Sequence, residues 1–395
     1  GFKSDFFEIA KQIEIFTTLF KELNMNYVDE TNPAELMDTA IKSMLDDLDP
    51  YTQFLNEQDV EAYKITNAGE YSGIGALVRS YEDKLVVVEP YKGYPADLAG
   101  LKAGDEIIRI GDIAVADFKD DAVELLKGAD KSTVEVSYRR QGEIATTTVA
   151  RGAIEIDAVP FYRLADDKTG YLVLSRFNSK ASEQTEAAIL DLKDQGAERI
   201  ILDLRGNPGG LLSEAINVTN LFVPKGELIV TTKSKVKKFN QEYKTRKKAL
   251  DTEIPLVVLI DGQSASASEI VSGGLQDLDR AVIMGARSFG KGLVQQPFML
   301  NDGSLIRLTV ARYYTPTGRL IQKSYENGYE EYTLDLINRY NNGELSSADS
   351  IVFPEAQQYR TLKMNRTVYG GGGIMPDYFV PIDTSTYSDY YRKLI

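Results

Sequence analysis

The run Pro255-Leu256-Val257-Val258-Leu259-Ile260-Asp261-Gly262-Gln263-Ser264-Ala265-Ser266-Ala267-Ser268-Glu269 decides the fold. Its first six residues are apolar and stop at Asp261-Gly262, the mark of a strand buried on both faces. The serine cluster then opens a helix over residues 269–278. A short strand follows at 281–284, and then Phe289-Gly290-Lys291-Gly292. The same order stands upstream. A strand at 170–173, a helix at 182–193 and a strand at 199–204 lead into the turn Arg205-Gly206-Asn207-Pro208-Gly209-Gly210. A helix to about residue 221 follows that turn. Apolar strands alternating with helices predict a mainly parallel α/β core. After residue 296 the pattern predicts antiparallel strands, with a hairpin at Asn301-Asp302-Gly303.

The preceding sequence divides at about residues 69 and 153. Residues 1–69 read as helical. Phe6, Ile9, Ile13, Phe16, Phe20 and Leu23 follow heptad spacing. That stripe fits either a helix packed on its own domain or one pairing with a second subunit. Asn32-Pro33 starts a second helix, which stops by Asp49-Pro50. Residues 70–153 read as a β-rich module, with strands at 73–78, 85–88, 106–110, 134–138 and 145–149. Its short helices cover 95–100, ended by Gly100, and 120–126. Residues 154–395 form the α/β core. Eight basic residues within 233–248 read as a solvated flap, with a basic binding surface as the lesser reading.

The chain of 395 residues has no histidine, no cysteine and a net charge of −14. That balance argues against nucleic-acid binding and against adhesion to anionic lipid. Without cysteine there are no disulfides and no thiolate metal sites, and no metal or cofactor is expected. No run of 18 apolar residues occurs, so no membrane span is predicted. The chain opens at Gly1-Phe2-Lys3, which raises the expectation of a removed export signal. Its end, Tyr390 to Ile395, reads as the start of a helix that continues further.

A hydrolase with this composition must activate serine without imidazole, and a desolvated lysine is the remaining common base. Strand 255–260 delivers the serines to a strand C-terminus, where reactive groups gather. Lys291 lies 25 residues beyond Ser266, enough chain to return to the same edge. Its flanking glycines leave room for it to sit deep. Gln295, at i+4, shares a face with Lys291. The Arg205–Gly210 loop can aim amides at an oxyanion.

Together these segments resemble the C-terminal processing peptidases, or tail-specific proteases, over nearly the whole chain. Leu48-Asp49-Pro50-Tyr51-Thr52 resembles that family's motif ahead of its PDZ domain. Gly73-Ile74-Gly75-Ala76 and Pro95 to Asp105 resemble the PDZ domain. The runs Leu202–Gly210, Ser264–Glu269 and Phe289–Gly292 resemble the catalytic core, with Tyr313 to Arg319 and Gly373 to Asp377 as later landmarks. The resemblance implies a crotonase/ClpP-like protease core with C-terminal antiparallel strands. It makes Ser266 the nucleophile, Lys291 the base and Gln295 the support of the lysine. Ala267 with Gly209 or Gly210 would form the oxyanion hole, and the choice between the glycines stays open. Asp277 would be structural support. Ile74, Gly75 and Ala76 would hold a substrate's C-terminal carboxylate. Ser288, where threonine is frequent, and Tyr94, where serine is frequent, are small departures.

The implied activity is a serine endopeptidase acting on proteins with nonpolar C-termini, exported or periplasmic, and dimeric if the N-terminal helix pairs. Two rivals stand beside it. One is a catalytically silent PDZ-based peptide-binding protein. The other is a related α/β enzyme acting on acyl thioesters.

Overall fold

The computed structural model describes residues 2–56, 60, 70–81, 84–117, 122–155, 157–351 and 357–382. They form two compact units. The first comprises Gly1–Glu57, Gln295–Thr309 and Tyr325–Thr333. Its α1 (Phe2–Asn26) carries the heptad stripe, and Phe6, Ile9 and Ile13 are 71%, 54% and 61% exposed. In α2 (Pro33–Asp46), Asn32 accepts the Ala34 amide at 3.1 Å and Pro33 fills the first turn, where no amide is needed. β1 (Gln53–Leu55) pairs antiparallel with Leu305–Arg307 of β18 (Leu305–Tyr314). β17 (Leu293–Met299) also pairs with β18, across the hairpin at Asn301-Asp302-Gly303. Asp49 is a staple here. Its carboxylate accepts from the amides of Tyr51 and Thr52 and from the hydroxyls of Thr52 and Thr309, at 2.6 to 3.0 Å.

The second unit contains the β-rich module and the α/β core. The module opens on β2 (Glu70–Gly73), which pairs with β9 (Gly152–Glu155) where the chain leaves it. Its sheet runs β3 (Ala76–Tyr81), β4 (Lys84–Pro90), β5 (Glu106–Ile110), β7 (Thr133–Arg140), β8 (Glu143–Ala150), with β6 (Ile113–Ala114) on β5. β3 is the edge. The predicted strand 73–78 is broken in two, because Gly75 takes φ +68° and turns the chain between β2 and β3. α3 (Pro95–Leu98) ends before Gly100, whose φ is +82°. The predicted helix at 120–126 is a 3-10 turn over Ala122–Leu126, and residues 120–121 lie outside the described residues. Leu85, Val87, Leu101, Ile107, Val136 and Val149 form this module's core.

The α/β core has one sheet in the order β10 (Phe161–Leu164), β11 (Thr169–Val173), β12 (Arg199–Asp203), β15 (Leu256–Ile260), β16 (Val282–Gly285), β21 (Tyr378–Phe379). All neighbours are parallel except β10 and β11. Leu172, Leu202, Val258 and Ile283 stand in one register row and are buried, as strands covered on both faces require. α4 (Ala181–Asp194), α5 (Leu212–Asn220) and α6 (Ala267–Asp277) connect the strands. The antiparallel expectation beyond residue 296 describes β17–β18 and the pair β19 (Gln358–Arg360)–β20 (Thr367–Tyr369). It misses β21, which returns parallel to β16. The basic run folds as β13 (Leu228–Lys233), a 3-10 turn and β14 (Gln241–Lys244), with its lysines and arginine exposed. A further helix, α7 (Tyr329–Asn341), belongs to the second unit from Leu334 onward. The expected helix at 390–395 lies outside the described residues.

Candidate active site

β15 and β12 end side by side, and their following loops interlock. Ser264 Oγ donates to Leu204 O at 2.8 Å and Ser268 Oγ to Asn207 O at 3.0 Å. Both serines are fully buried. The flanking serines therefore anchor the turn, and Ser266, partly exposed, differs from them. Ser266 caps α6 with φ +54° and ψ −110°, a backbone region that non-glycine residues rarely occupy and that costs on the order of 1–3 kcal/mol. Strain of this kind persists only where the surroundings impose it.

One surrounding group is Glu269, fully buried in the first turn of α6. Its Oε2 accepts the Ser266 amide at 2.9 Å and the Lys291 amide at 2.8 Å. Its Oε1 accepts Ser288 Oγ at 2.5 Å and the Gly290 amide at 2.6 Å. A single carboxylate oxygen thus ties the backbone of Ser266 to that of Lys291. Burial pushes this carboxyl above the ordinary glutamate range, against the donations from Ser288, Lys291, Gly290 and Ser266.

Lys291 is partly buried rather than deep. The glycines beside it serve backbone approach, not only side-chain room. A Cβ on Gly292 would lie 2.4 Å from the Gln322 amide, and one on Gly290 3.0 Å from Lys323 Cβ. The amide of Gly292 donates to Gln322 Oε1 at 2.8 Å, and Gly290 O accepts the Lys323 amide at 3.0 Å.

The 205–210 loop is built on Asn207, which is fully buried. Its Nδ2 donates to Leu174 O at 2.7 Å and its Oδ1 accepts the Gly209 amide at 2.8 Å. Gly209 has φ +99°, and a Cβ there would lie 2.8 Å from Ser266 Cβ and 2.9 Å from the Ala267 amide. Gly210 has φ +145°, with Phe177 O 2.3 Å from the position of a Cβ. The Gly209 amide is engaged by Asn207. Those of Gly210 and Ala267 meet no acceptor among the described residues. At the end of β12, burial raises the Asp203 carboxyl, but hydrogen bonds from Arg205 and Tyr171 outweigh it and hold it below the usual range.

Gln295 lies in the first unit, where its Nε2 donates to Thr309 Oγ1 at 3.3 Å. Thr309 Oγ1 donates in turn to Asp49 at 2.9 Å. The Leu48–Thr52 motif thus anchors the residue that holds Gln295. Asp277, fully buried, pairs with buried Arg319 at 2.5 Å and accepts from the Thr317 amide and hydroxyl. It stands at the C-terminal end of α6, away from the turn at Ser266.

In the β-rich module, Ile74 and Gly75 are buried and form the bend before edge strand β3, which starts at Ala76. Their carbonyls accept the amides of Ala96 at 2.6 Å and Tyr91 at 2.9 Å. The amides of Ile74 and Gly75 meet no acceptor among the described residues. A Cβ on Gly75 would lie 2.6 Å from Tyr94 Cβ, so this bend admits only glycine.

Asn207, Glu269 and Gln322 are site residues that the sequence reading did not single out. Each has backbone partners distant in the chain, at Leu174, at Gly290 and Lys291, and at Gly292, which no local spacing advertises.

A serine turn at the end of the parallel sheet, a lysine loop tied to it through Glu269, two amides in the serine turn and the adjoining loop without acceptors among the described residues, and a PDZ-like edge fit a peptidase of the serine class. Residues 168–351 match peptidase family S41, and residues 72–150 match the PDZ domain. The chain is 37% identical over 319 residues to a carboxy-terminal-processing protease of Bartonella bacilliformis, covering 79% of this chain and 73% of that protein. It is 32% identical to the carboxy-terminal processing protease CtpA of Bacillus subtilis, covering 77% of this chain and 65% of that one. The solved photosystem II D1 C-terminal processing protease is 32% identical, covers 77% of this chain and 83% of its own, and has a TM-score of 0.46. The chain belongs to peptidase family S41, among the carboxy-terminal-processing serine-type proteases that carry a PDZ domain. No helix among the described residues is long and apolar enough to cross a membrane.

Proposed function

We propose that Ser266 and Lys291 form the catalytic dyad of an endopeptidase. The observation that carries this is the shared Glu269 oxygen, which keeps the two backbones no more than two hydrogen bonds apart. Neutral Lys291 takes the Ser266 hydroxyl proton as Oγ bonds to the scissile carbonyl carbon. The resulting ammonium protonates the departing amine when the C–N bond breaks. Water then hydrolyses the ester, with the same lysine as base. The oxyanion is held by the amides of Ala267 and Gly210, since that of Gly209 already has an acceptor. Gln295 has a supporting role, and no cofactor or metal takes part.

Substrates are proteins with nonpolar C-termini. Their last residues add a strand to β3, and the amides of Ile74, Gly75 and Ala76 receive the terminal carboxylate. The protein works outside the cytoplasm, and the exposed stripe of α1 pairs with a second copy. The free edge of β3 and the unmatched amides at its start support the tail reading. Nothing in the structure or the relatives favours the catalytically silent alternative.

Cleavage of a peptide with a nonpolar tail tests the proposal. Ser266→Ala and Lys291→Ala are expected to abolish turnover, and amidating the tail to slow it. Equal turnover by all three proteins would reject the dyad, and equal rates on acid and amide tails would reject carboxylate capture.

A further inference from the structure

The backbone that carries Lys291 is gripped from two sides. Glu269 takes its amides, as described. From the other side comes Arg339 on α7, only 2% exposed. Its Nη1 donates to Ser288 O at 2.8 Å and to Arg287 O at 3.2 Å, and its Nη2 to Phe289 O at 3.3 Å. Three consecutive carbonyls converge on one guanidinium. That guanidinium is held one helical turn away by Asp335, at 2.8 Å. The same Asp335 oxygen takes Lys323 Nζ at 3.0 Å, and this ammonium lies 4.1 Å from the Phe289 ring centroid. Burial lowers the pKa of both Arg339 and Lys323, and Asp335 opposes that in each.

We infer that Arg339 is a positioning residue for the reaction: held by Asp335, it fixes the path of the 287–291 backbone and so the placement of the Lys291 amine. The inference rests on the proposed dyad. A buried guanidinium is expensive to desolvate, and here most of its bonds go to main-chain carbonyls rather than to a carboxylate. Those carbonyls are the three that precede the Gly290-Lys291-Gly292 turn. Glu269 and Arg339 therefore act on one short segment from opposite sides, the anion on its amides and the cation on its carbonyls. Displacing the lysine by about 1 Å is enough for a ~10²-fold loss of rate without any change in substrate contacts.

The test compares Arg339→Met, Arg339→Lys and Asp335→Asn with the parent and with Lys291→Ala, on one tailed peptide. Folding is checked by thermal melting, and rates are normalised to folded protein. Arg339→Met is expected to lose about 10²-fold in kcat with KM unchanged, and Arg339→Lys to recover part of it. A folded Arg339→Met protein with the parent kcat, or one that changes only KM, would overturn the inference. Should Arg339→Met not fold, Asp335→Asn decides. It frees the guanidinium without emptying its site, and is expected to lower kcat about tenfold at constant KM; the parent kcat there overturns the inference. Lys291→Ala separates the layers. If it keeps the parent rate, the dyad itself fails. If it is inactive while the Arg339 and Asp335 variants match the parent, only the positioning role fails.

Discussion

Replacing Glu269 by glutamine tests the link between the Ser266 turn and the Lys291 loop. The parent carboxylate accepts four hydrogen bonds, two on each oxygen. Glutamine offers one acceptor oxygen and one NH2 group. If the NH2 faces Ser266 and Lys291, two buried amides meet a donor. If it faces the other way, the Gly290 amide is the one main-chain donor orphaned, while the Ser288 hydroxyl, which already accepts the Ile374 amide at 2.6 Å, turns to accept from the NH2 group as well. The second orientation is the cheaper one. A single buried donor left without an acceptor costs about 1–3 kcal/mol. The Gly290 peptide directly precedes Lys291, so the lysine loop moves with it. The expected result is about 1–3 kcal/mol less stability in denaturant unfolding and about a 10²-fold lower kcat on a tailed peptide. KM is expected to hold. A glutamine variant with the parent stability and kcat would refute the claim that this carboxylate holds the site together.

Three further outcomes follow from the geometry. Gly209→Ala puts a Cβ 2.8 Å from Ser266 Cβ at φ +99°; kcat is expected to fall about 10²-fold or more, and an unchanged kcat would contradict the packing of this loop on the serine. Phe6→Glu with Ile13→Glu on α1 is expected to lower the mass seen by light scattering if the exposed stripe pairs two copies; an unchanged mass rejects the pairing. Asp251 is held down to about 2 by Lys193 and by the amides of Glu253 and Ile254, against its own burial. Its contribution is therefore present above the unfolded aspartate value of 3.8 and is lost as pH falls through about 2. Asp251→Asn is expected to cost about 1 kcal/mol at neutral pH, discounted for partial exposure, and nothing at the acid end. An equal cost at both ends would refute that attribution.

Much of the core was legible because its signals are local. The all-apolar run of β15 and the helix of α6 follow from hydrophobic pattern alone, and so do β12 and α4. What was not legible depends on distant backbone. Three alternating serines look equivalent in sequence. Only the carbonyls of Leu204 and Asn207, about sixty residues earlier, distinguish the anchoring Ser264 and Ser268 from Ser266. Gly209 and Gly210 look alike in sequence and differ in the fold, where the Asn207 side chain takes the Gly209 amide. The role of Glu269 reads locally as a cap, because three of its four partners lie 19 to 22 residues further on. Helix α7 escapes the hydrophobic pattern because that pattern is inverted there: Ile337 and Tyr340 are exposed while Arg339 is buried. The strand break at Gly75 required a positive φ that the run Gly73–Val78 does not reveal.

The most direct measurement is the rate at which a fluorophosphonate labels Ser266, with the adduct located by peptide mass spectrometry, in the parent and in Lys291→Ala. Labelling is expected to be confined to Ser266 and to slow at least about 10²-fold once the lysine is gone. Labelling at the same rate in both proteins, or at another serine, would contradict the dyad.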